Sequence, residues 1–130
     1  MRKIKRLITI ILSALLLSSC AATGKSSLGY RTITMDEAVK MMSSERDYII
    51  LDVRTPEEYA EGHIPGAINV PNETIGTAEI PELPDKAQLI LVYCRSGRRS
   101  KEAAEKLVKL GYTNIVEFGG ILDWKGEIEK

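Results

Sequence analysis

Short apolar runs alternate with amphipathic stretches over residues 30–130. Tyr48–Val53 and Gln88–Tyr93 are almost continuously apolar, which is typical of strands buried on both faces of a parallel sheet. Shorter runs at Tyr30–Ile33, Ala67–Val70 and Asn114–Phe118 predict three more strands. Because predicted helices separate the strands, the pattern indicates an α/β fold. We expect an open, mostly parallel sheet of about five strands with helices on both faces.

Two capping boxes mark the starts of helices. Thr34 with Glu37 begins the first helix, and Thr55 with Glu58 begins the second. In each pair the hydroxyl and the carboxylate can accept hydrogen bonds from backbone N–H groups that the first helical turn leaves without partners. Gly62 is expected to end the second helix after little more than one turn.

Apolar residues at helical spacing predict the remaining helices. Arg98–Leu110 is expected to be a helix that Gly111 closes, and a terminal amphipathic helix is expected after Gly119-Gly120. Pro71–Asp85 holds three prolines and is predicted to be a loop. The residues expected to face inward are Ala38, Val39 and Met42 in the first helix, Ala103, Ala104, Leu107 and Val108 in the third, and Ile121, Leu122 and Trp124 in the terminal one.

Residues 1–20 follow a different pattern, that of an export signal. Four basic residues precede Leu7–Leu17, an eleven-residue run whose only polar members are Thr9 and Ser13. The run is shorter than the roughly 20 residues that cross a bilayer and has the length of a signal peptide's apolar region. It ends in Leu17-Ser18-Ser19-Cys20, which resembles the bacterial lipobox. This resemblance implies cleavage before Cys20 and attachment of lipid to its thiol.

We therefore expect the chain to have three segments. Residues 1–19 are a lipoprotein signal peptide, residues 20–29 are the lipidated cysteine and a flexible tether, and residues 30–130 form one domain. Several buried acyl chains would hold this exported domain on the extracytoplasmic face of a bacterial membrane. A plain secretory signal followed by a chance cysteine is the alternative.

Charge and composition narrow the possible partners of the domain. The 18 basic residues include four in residues 1–19, so residues 20–130 hold 14 basic residues against 18 acidic ones. A mildly acidic domain with few aromatic residues lacks the basic surface of a nucleic-acid binder. Two cysteines and one histidine can supply neither a disulfide framework nor a four-ligand zinc site.

The candidate chemistry lies at Cys94, directly after the predicted strand Gln88–Tyr93. In open α/β sheets ligands bind beyond the carboxyl ends of the strands, and the segment 95–100 leads from this end into a helix. The free N–H groups and positive dipole end of that helix favour an anion, as do three nearby arginines. Comparable surroundings lower a cysteine pKa from about 8.5 to between roughly 3.5 and 7.5. Gly97 allows a tight turn with inward amides, so the pattern favours a nucleophilic thiolate over a buried structural cysteine.

At these residues the chain resembles the rhodanese family of sulfurtransferases. The resemblance covers essentially all of residues 30–130 and is carried by Ile50–Tyr59, Glu61–Ala67, the Cys94–Arg99 loop, and Gly119-Gly120 before Trp124. It implies a rhodanese-like fold in which Cys94 becomes a persulfide, and it implies no metal or organic cofactor. It also makes Arg98 and Arg99 candidates to bind anionic donors. The backbone amides implied to cradle the transferred sulfur and its leaving group are those of Arg95, Ser96, Gly97, Arg98 and Arg99.

The resemblance further implies a two-step sulfur transfer. Thiosulfate or a persulfide would supply sulfur to Cys94, and cyanide, a small thiol or a protein would accept it. No separate general base is expected, because the thiol is already ionised. The alternative is a persulfide carrier or sulfur-relay module without turnover. Phosphatase or arsenate reductase activity is disfavoured, because such relatives place arginine six residues after the cysteine, where this chain has Ser100.

The other polar and aromatic features have structural interpretations. Asp52 and Arg54, at the end of a neighbouring strand, are expected to form an ion pair or capping hydrogen bonds that brace the Cys94 loop. His63 could pair with Cys94, but its glycine and proline neighbours favour a buried ring that satisfies local backbone groups. Trp124 is expected to be a packing anchor near the loop. Lys101, Lys106 and Lys109 are expected to form a solvated helix face.

Overall fold

The computed structural model describes residues 27–130, so the predicted signal peptide and Cys20 lie outside the described residues. Each predicted strand is present with ends within two residues of those expected, and each of the first three predicted helices is present. In chain order the elements are β1 (Arg31–Thr32), α1 (Met35–Ser44), β2 (Tyr48–Asp52), α2 (Pro56–Glu61), β3 (Ile68–Asn69), a 3-10 turn (Asn72–Thr74), β4 (Leu89–Cys94), α3 (Arg98–Lys109), β5 (Ile115–Gly120) and a second 3-10 turn (Ile121–Asp123).

The strands form one parallel five-stranded sheet in the order β1-β5-β4-β2-β3. This arrangement confirms the predicted α/β fold. Strand β4 lies at the centre and pairs with β2 on one side and β5 on the other. Its carboxyl end, at Cys94, is therefore surrounded by the ends of neighbouring strands, where open α/β sheets bind ligands.

Two hydrophobic cores cover the two faces of the sheet, which explains the continuous apolar runs of β2 and β4. Side chains alternate along a strand, so Ile90 and Val92 share one core with α3, while Leu91 and Tyr93 share the other with α1. The same alternation places Cys94 on the face that α3 covers.

Both predicted capping boxes are present. The Thr34 hydroxyl accepts from the Glu37 N–H at 3.1 Å, and the Glu37 carboxylate accepts from the Thr34 N–H at 3.0 Å. Thr55 and Glu58 make the same reciprocal pair at the start of α2, with Pro56 as the first helical residue. Helix α2 ends at Gly62 as expected.

The predicted terminal amphipathic helix is wrong. A 3-10 turn occupies Ile121–Asp123, and Leu122 is 61% exposed rather than inward. Further along, Glu129 forms an antiparallel bridge with His63 through two backbone hydrogen bonds of 2.9 Å. The end of the chain satisfies its backbone groups on a distant turn, so it has no need of a helical ladder.

Two smaller expectations are also wrong. Val39 in α1 is 43% exposed, because Ala38 and Met42 alone of the predicted stripe face the sheet. Lys106 is not simply solvated, since its ammonium donates to the backbone and side-chain oxygens of Asn72 at 3.0 and 3.1 Å. The 71–85 loop therefore packs against α3.

Among residues 27–130, no helix has the length and apolar character needed to cross a bilayer.

Candidate active site

Cys94 lies at the point where β4 gives way to α3. The pairing of β4 with β5 shifts between Val92 and Cys94, which places Cys94 opposite Gly120. A Cβ on Gly120 would collide with the carbonyl of Arg95, so the loop after Cys94 packs directly on the β5 backbone. This close approach fixes the position of the loop, and only glycine permits it.

The loop aims backbone donors at the sulfur of Cys94. Gly97 is the N-cap of α3 with a φ of 113°, a left-handed conformation that glycine adopts without strain, and its N–H donates to Cys94 Sγ at 3.0 Å. Burial raises the pKa of the Cys94 thiol, but hydrogen bonds outweigh it and the net pKa is lowered. The hydrogen bonds are the one between Cys94 and the Ser100 side chain and those donated by the backbone N–H groups of Ser100, Gly97 and Ser96. The helix start thus favours the thiolate.

The three arginines expected around Cys94 differ in their surroundings. Arg95 is exposed, as is its neighbour Ser96. Arg98 donates to Glu102 at 2.7 Å in a largely exposed pair. Arg99 binds both carboxylate oxygens of Glu58, at 2.7 and 3.0 Å. Arg98 and Arg99 are each paired with a carboxylate, and their binding of an anionic donor stays a prediction.

Asp52 and Arg54 form the expected ion pair, with a shortest distance of 2.7 Å between Arg54 Nη2 and Asp52 Oδ2. Arg54 also donates to the Gly62 carbonyl at 2.7 Å, and the Tyr93 hydroxyl donates to Asp52 at 2.7 Å. The pair thus ties β2 to β4 and to the turn after α2. Its hydrogen bonds hold Tyr93, the neighbour of Cys94, rather than the Cys94 loop itself.

His63 has other partners than Cys94. Its ring stacks on Tyr59 with centroids 3.7 Å apart, and Nδ1 donates to the Tyr59 carbonyl at 2.9 Å. The other ring nitrogen lies 3.4 Å from the carboxylate of Glu129. These contacts agree with the structural interpretation of His63. Trp124 packs against the core that includes α1 and donates to the Glu127 carbonyl at 2.9 Å.

Two buried residues beside Cys94 were not expected from the sequence. Ser100 and Glu117 both have 0% exposure, and the Ser100 hydroxyl donates to Glu117 Oε1 at 2.6 Å. Ser100 Oγ lies 3.5 Å from Cys94 Sγ. A single acid inside the apolar run 115–118 was the only signal for Glu117. Within residues 27–130, no cluster of three or more His, Cys, Asp or Glu side chains could hold a metal ion.

The fold and this site define an α/β protein with a buried cysteine, followed by a loop of backbone donors, at the centre of a parallel sheet. Known proteins agree, since the family described as "Rhodanese-like domain" matches residues 34–127. The thiosulfate sulfurtransferase PspE of Escherichia coli (strain K12) is 41% identical over 73 residues, which cover 56% of this chain and 70% of that protein. A sulfurtransferase of Allochromatium vinosum is 34% identical over 93 residues, which cover 71% of this chain and 85% of that protein.

A solved structure shows the same architecture. The structure described as "rhodanese with anions from E. coli" is 37% identical, has a TM-score of 0.58, and is matched over 64% of this chain and 98% of that one. The chain belongs to the rhodanese family. It is an enzyme of the rhodanese type, similar to thiosulfate sulfurtransferases.

Proposed function

We propose that this enzyme moves sulfane sulfur from an anionic donor such as thiosulfate to a thiophilic acceptor through a persulfide on Cys94. The observation that carries the proposal is the 3.0 Å hydrogen bond from the Gly97 N–H to Cys94 Sγ at the start of α3. A donor placed there stabilises a sulfur anion, and it acts strongly because Cys94 is 1% exposed and little water screens it.

The transfer takes place in two steps that balance in atoms and charge. The Cys94 thiolate attacks the outer sulfur of thiosulfate, the S–S bond of the donor breaks, and sulfite leaves with its electron pair. The resulting persulfide anion Cys94–S–S⁻ is held by the same amides. An acceptor such as cyanide or a thiolate then attacks the outer sulfur, and the thiolate of Cys94 is regenerated.

The surroundings of Ser100 argue against phosphoryl or arsenate chemistry. The position six residues after Cys94 carries a buried hydroxyl that is bonded to a carboxyl group, Glu117, rather than the arginine that such chemistry uses.

Turnover with thiosulfate and cyanide, measured beside the mass of the intact protein, tests the proposal. We expect thiocyanate production, a gain of one sulfur atom in the absence of acceptor, and the loss of both in Cys94→Ser. A sulfur adduct without turnover would instead identify a persulfide carrier or relay module. The absence of both would exclude sulfur transfer.

We also propose that Cys20 is lipidated and that the domain is held on the extracytoplasmic face of a bacterial membrane. The basic residues, apolar run and Leu17-Ser18-Ser19-Cys20 sequence support this location. Detergent-phase partitioning of the protein produced in bacteria tests it. The wild-type chain should enter the detergent phase and Cys20→Ala should stay in the aqueous phase, whereas equal partitioning of the two would refute lipidation.

A further inference from the structure

A buried chain of hydrogen bonds runs from the nucleophile into the sheet. The Cys94 thiol donates to Ser100 Oγ at 3.5 Å, and the Ser100 hydroxyl donates to Glu117 Oε1 at 2.6 Å. Cys94 is 1% exposed, and neither Ser100 nor Glu117 has any exposed surface. We propose that Glu117 is a positioning residue that accepts the thiol proton of Cys94 through the hydroxyl of Ser100.

The buried Glu117 side chain lacks some of the hydrogen bonds that would stabilise a permanent carboxylate anion. Its Oε1 also accepts from the Gly119 N–H at 2.8 Å, but its Oε2 has no hydrogen-bond partner among residues 27–130. A buried charged oxygen without a partner is costly, and the cost falls when the group receives a proton. Glu117 therefore gains from the transfer that the thiolate of Cys94 requires.

The proton transfer balances without any further reactant. The S–H bond of Cys94 breaks and its proton binds Ser100 Oγ, while the Ser100 proton moves to Glu117 Oε1. The single negative charge passes from the carboxylate to the sulfur, where the Gly97 N–H stabilises it. Afterwards Glu117 donates to Ser100 and Ser100 donates to the thiolate, so both hydrogen bonds are kept with their directions reversed.

The other groups around this chain leave its direction unchanged. The Ser100 hydroxyl has alternative acceptors in the Gly97 and Gly119 carbonyls, but these lie at 3.0 and 3.4 Å and carry no charge. Arg99 of α3 interacts electrostatically with Cys94, and its positive charge favours the thiolate. The titratable groups near these hydrogen bonds are Arg99 of α3, with its partner Glu58 of α2, and Tyr30 before β1. Glu105 of α3 interacts electrostatically with Tyr30.

The pH dependence of Cys94 alkylation by iodoacetamide, followed from weakly acidic to weakly alkaline pH, tests the inference. The inference rests on Cys94 being the nucleophile of the proposed function, but alkylation measures the proton route even if no sulfur is transferred. In the wild-type protein the rate should be nearly independent of pH near neutrality, because the proton passes internally. In Glu117→Gln the rate at pH 6.5 should fall on the order of 10²-fold and should rise with pH, since the proton must leave to solvent.

Three further variants separate a proton route from a simple charge effect. Ser100→Ala should behave as Glu117→Gln does, and Ser100→Thr, which keeps the hydroxyl, should rescue the flat profile. Glu105→Gln removes an exposed carboxylate that takes no part in the Cys94–Ser100–Glu117 hydrogen bonds. Its alkylation profile should match that of the wild-type protein. Circular dichroism and cooperative thermal unfolding check that each variant is folded.

A carboxylate that acted only through its charge would give the opposite result. Removing that charge favours the thiolate and would speed alkylation of Glu117→Gln at neutral pH. Faster or unchanged alkylation in Glu117→Gln, or a wild-type profile in Ser100→Ala, would overturn the inference. Loss of sulfur transfer with the alkylation results intact would instead count only against the proposed function.

Discussion

Replacing Glu58 with glutamine tests how strongly the structure holds Arg99, the arginine that interacts electrostatically with Cys94. Arg99 binds both oxygens of Glu58, and this hydrogen-bonded pairing lowers the pKa of Glu58 from 4.5 to about 2. At 1.36 kcal/mol per pH unit, the change corresponds to roughly 3 kcal/mol as an upper limit. The Glu58 side chain is 26% exposed, so we expect solvent screening to reduce the contribution to about 1–2 kcal/mol.

The contribution has a definite pH dependence. The folded pKa of Glu58 lies below the unfolded value, so the stabilisation is complete above pH 4.5 and is lost as the pH falls toward 2. Glutamine cannot ionise, but it can replace glutamate in the capping box with Thr55. Urea unfolding should therefore show Glu58→Gln less stable by about 1–2 kcal/mol at pH 7, with the difference shrinking between pH 4.5 and 2.5.

Glu57→Gln is the matched control, because it removes an exposed carboxylate from the same helical turn. This control should change stability by less than about 0.5 kcal/mol. Equal stability of wild type and Glu58→Gln at pH 7, or a difference that stays constant down to pH 2.5, would refute the reasoning. Arg99 also interacts electrostatically with Cys94. Because Glu58→Gln removes the carboxylate that neutralises Arg99, the variant should bind the thiosulfate anion more tightly and show a lower KM for it.

Three other outcomes follow from the site. Asp52→Asn leaves Arg54 buried without its counter-ion and should cost about 3–5 kcal/mol in urea unfolding, and a loss below about 1 kcal/mol would contradict a tight ion pair. Gly120→Ala forces its methyl group against the Arg95 carbonyl, so turnover should fall about 10²-fold while the chain still folds, and wild-type turnover would show that the loop tolerates displacement. Alkylation of Cys94 should remain fast well below pH 8, whereas a rate that rises only above pH 8 would mean that its pKa is not lowered.

The sequence alone was sufficient for the features that depend on neighbours along the chain. The capping boxes at Thr34 and Thr55 were predictable because each joins residues three positions apart. The buried strands were predictable from continuous apolar runs, and they placed Cys94 at a strand end. The terminal helix was not predictable, because Glu129 pairs with the turn at His63, far away in the sequence.

Only the tertiary structure decided the partners of Arg99 and of Ser100. Arg99 and Glu58 are 41 residues apart, and Ser100 and Glu117 are 17 apart. Periodicity shows that a side chain is buried or lies on a helix, but it does not show which distant carboxylate the packing brings to it. The position of Cys94 at a strand end could thus be predicted from the sequence, whereas the Glu58 partner of Arg99 and the Glu117 partner of Ser100 depend on how α2, α3 and β5 pack together.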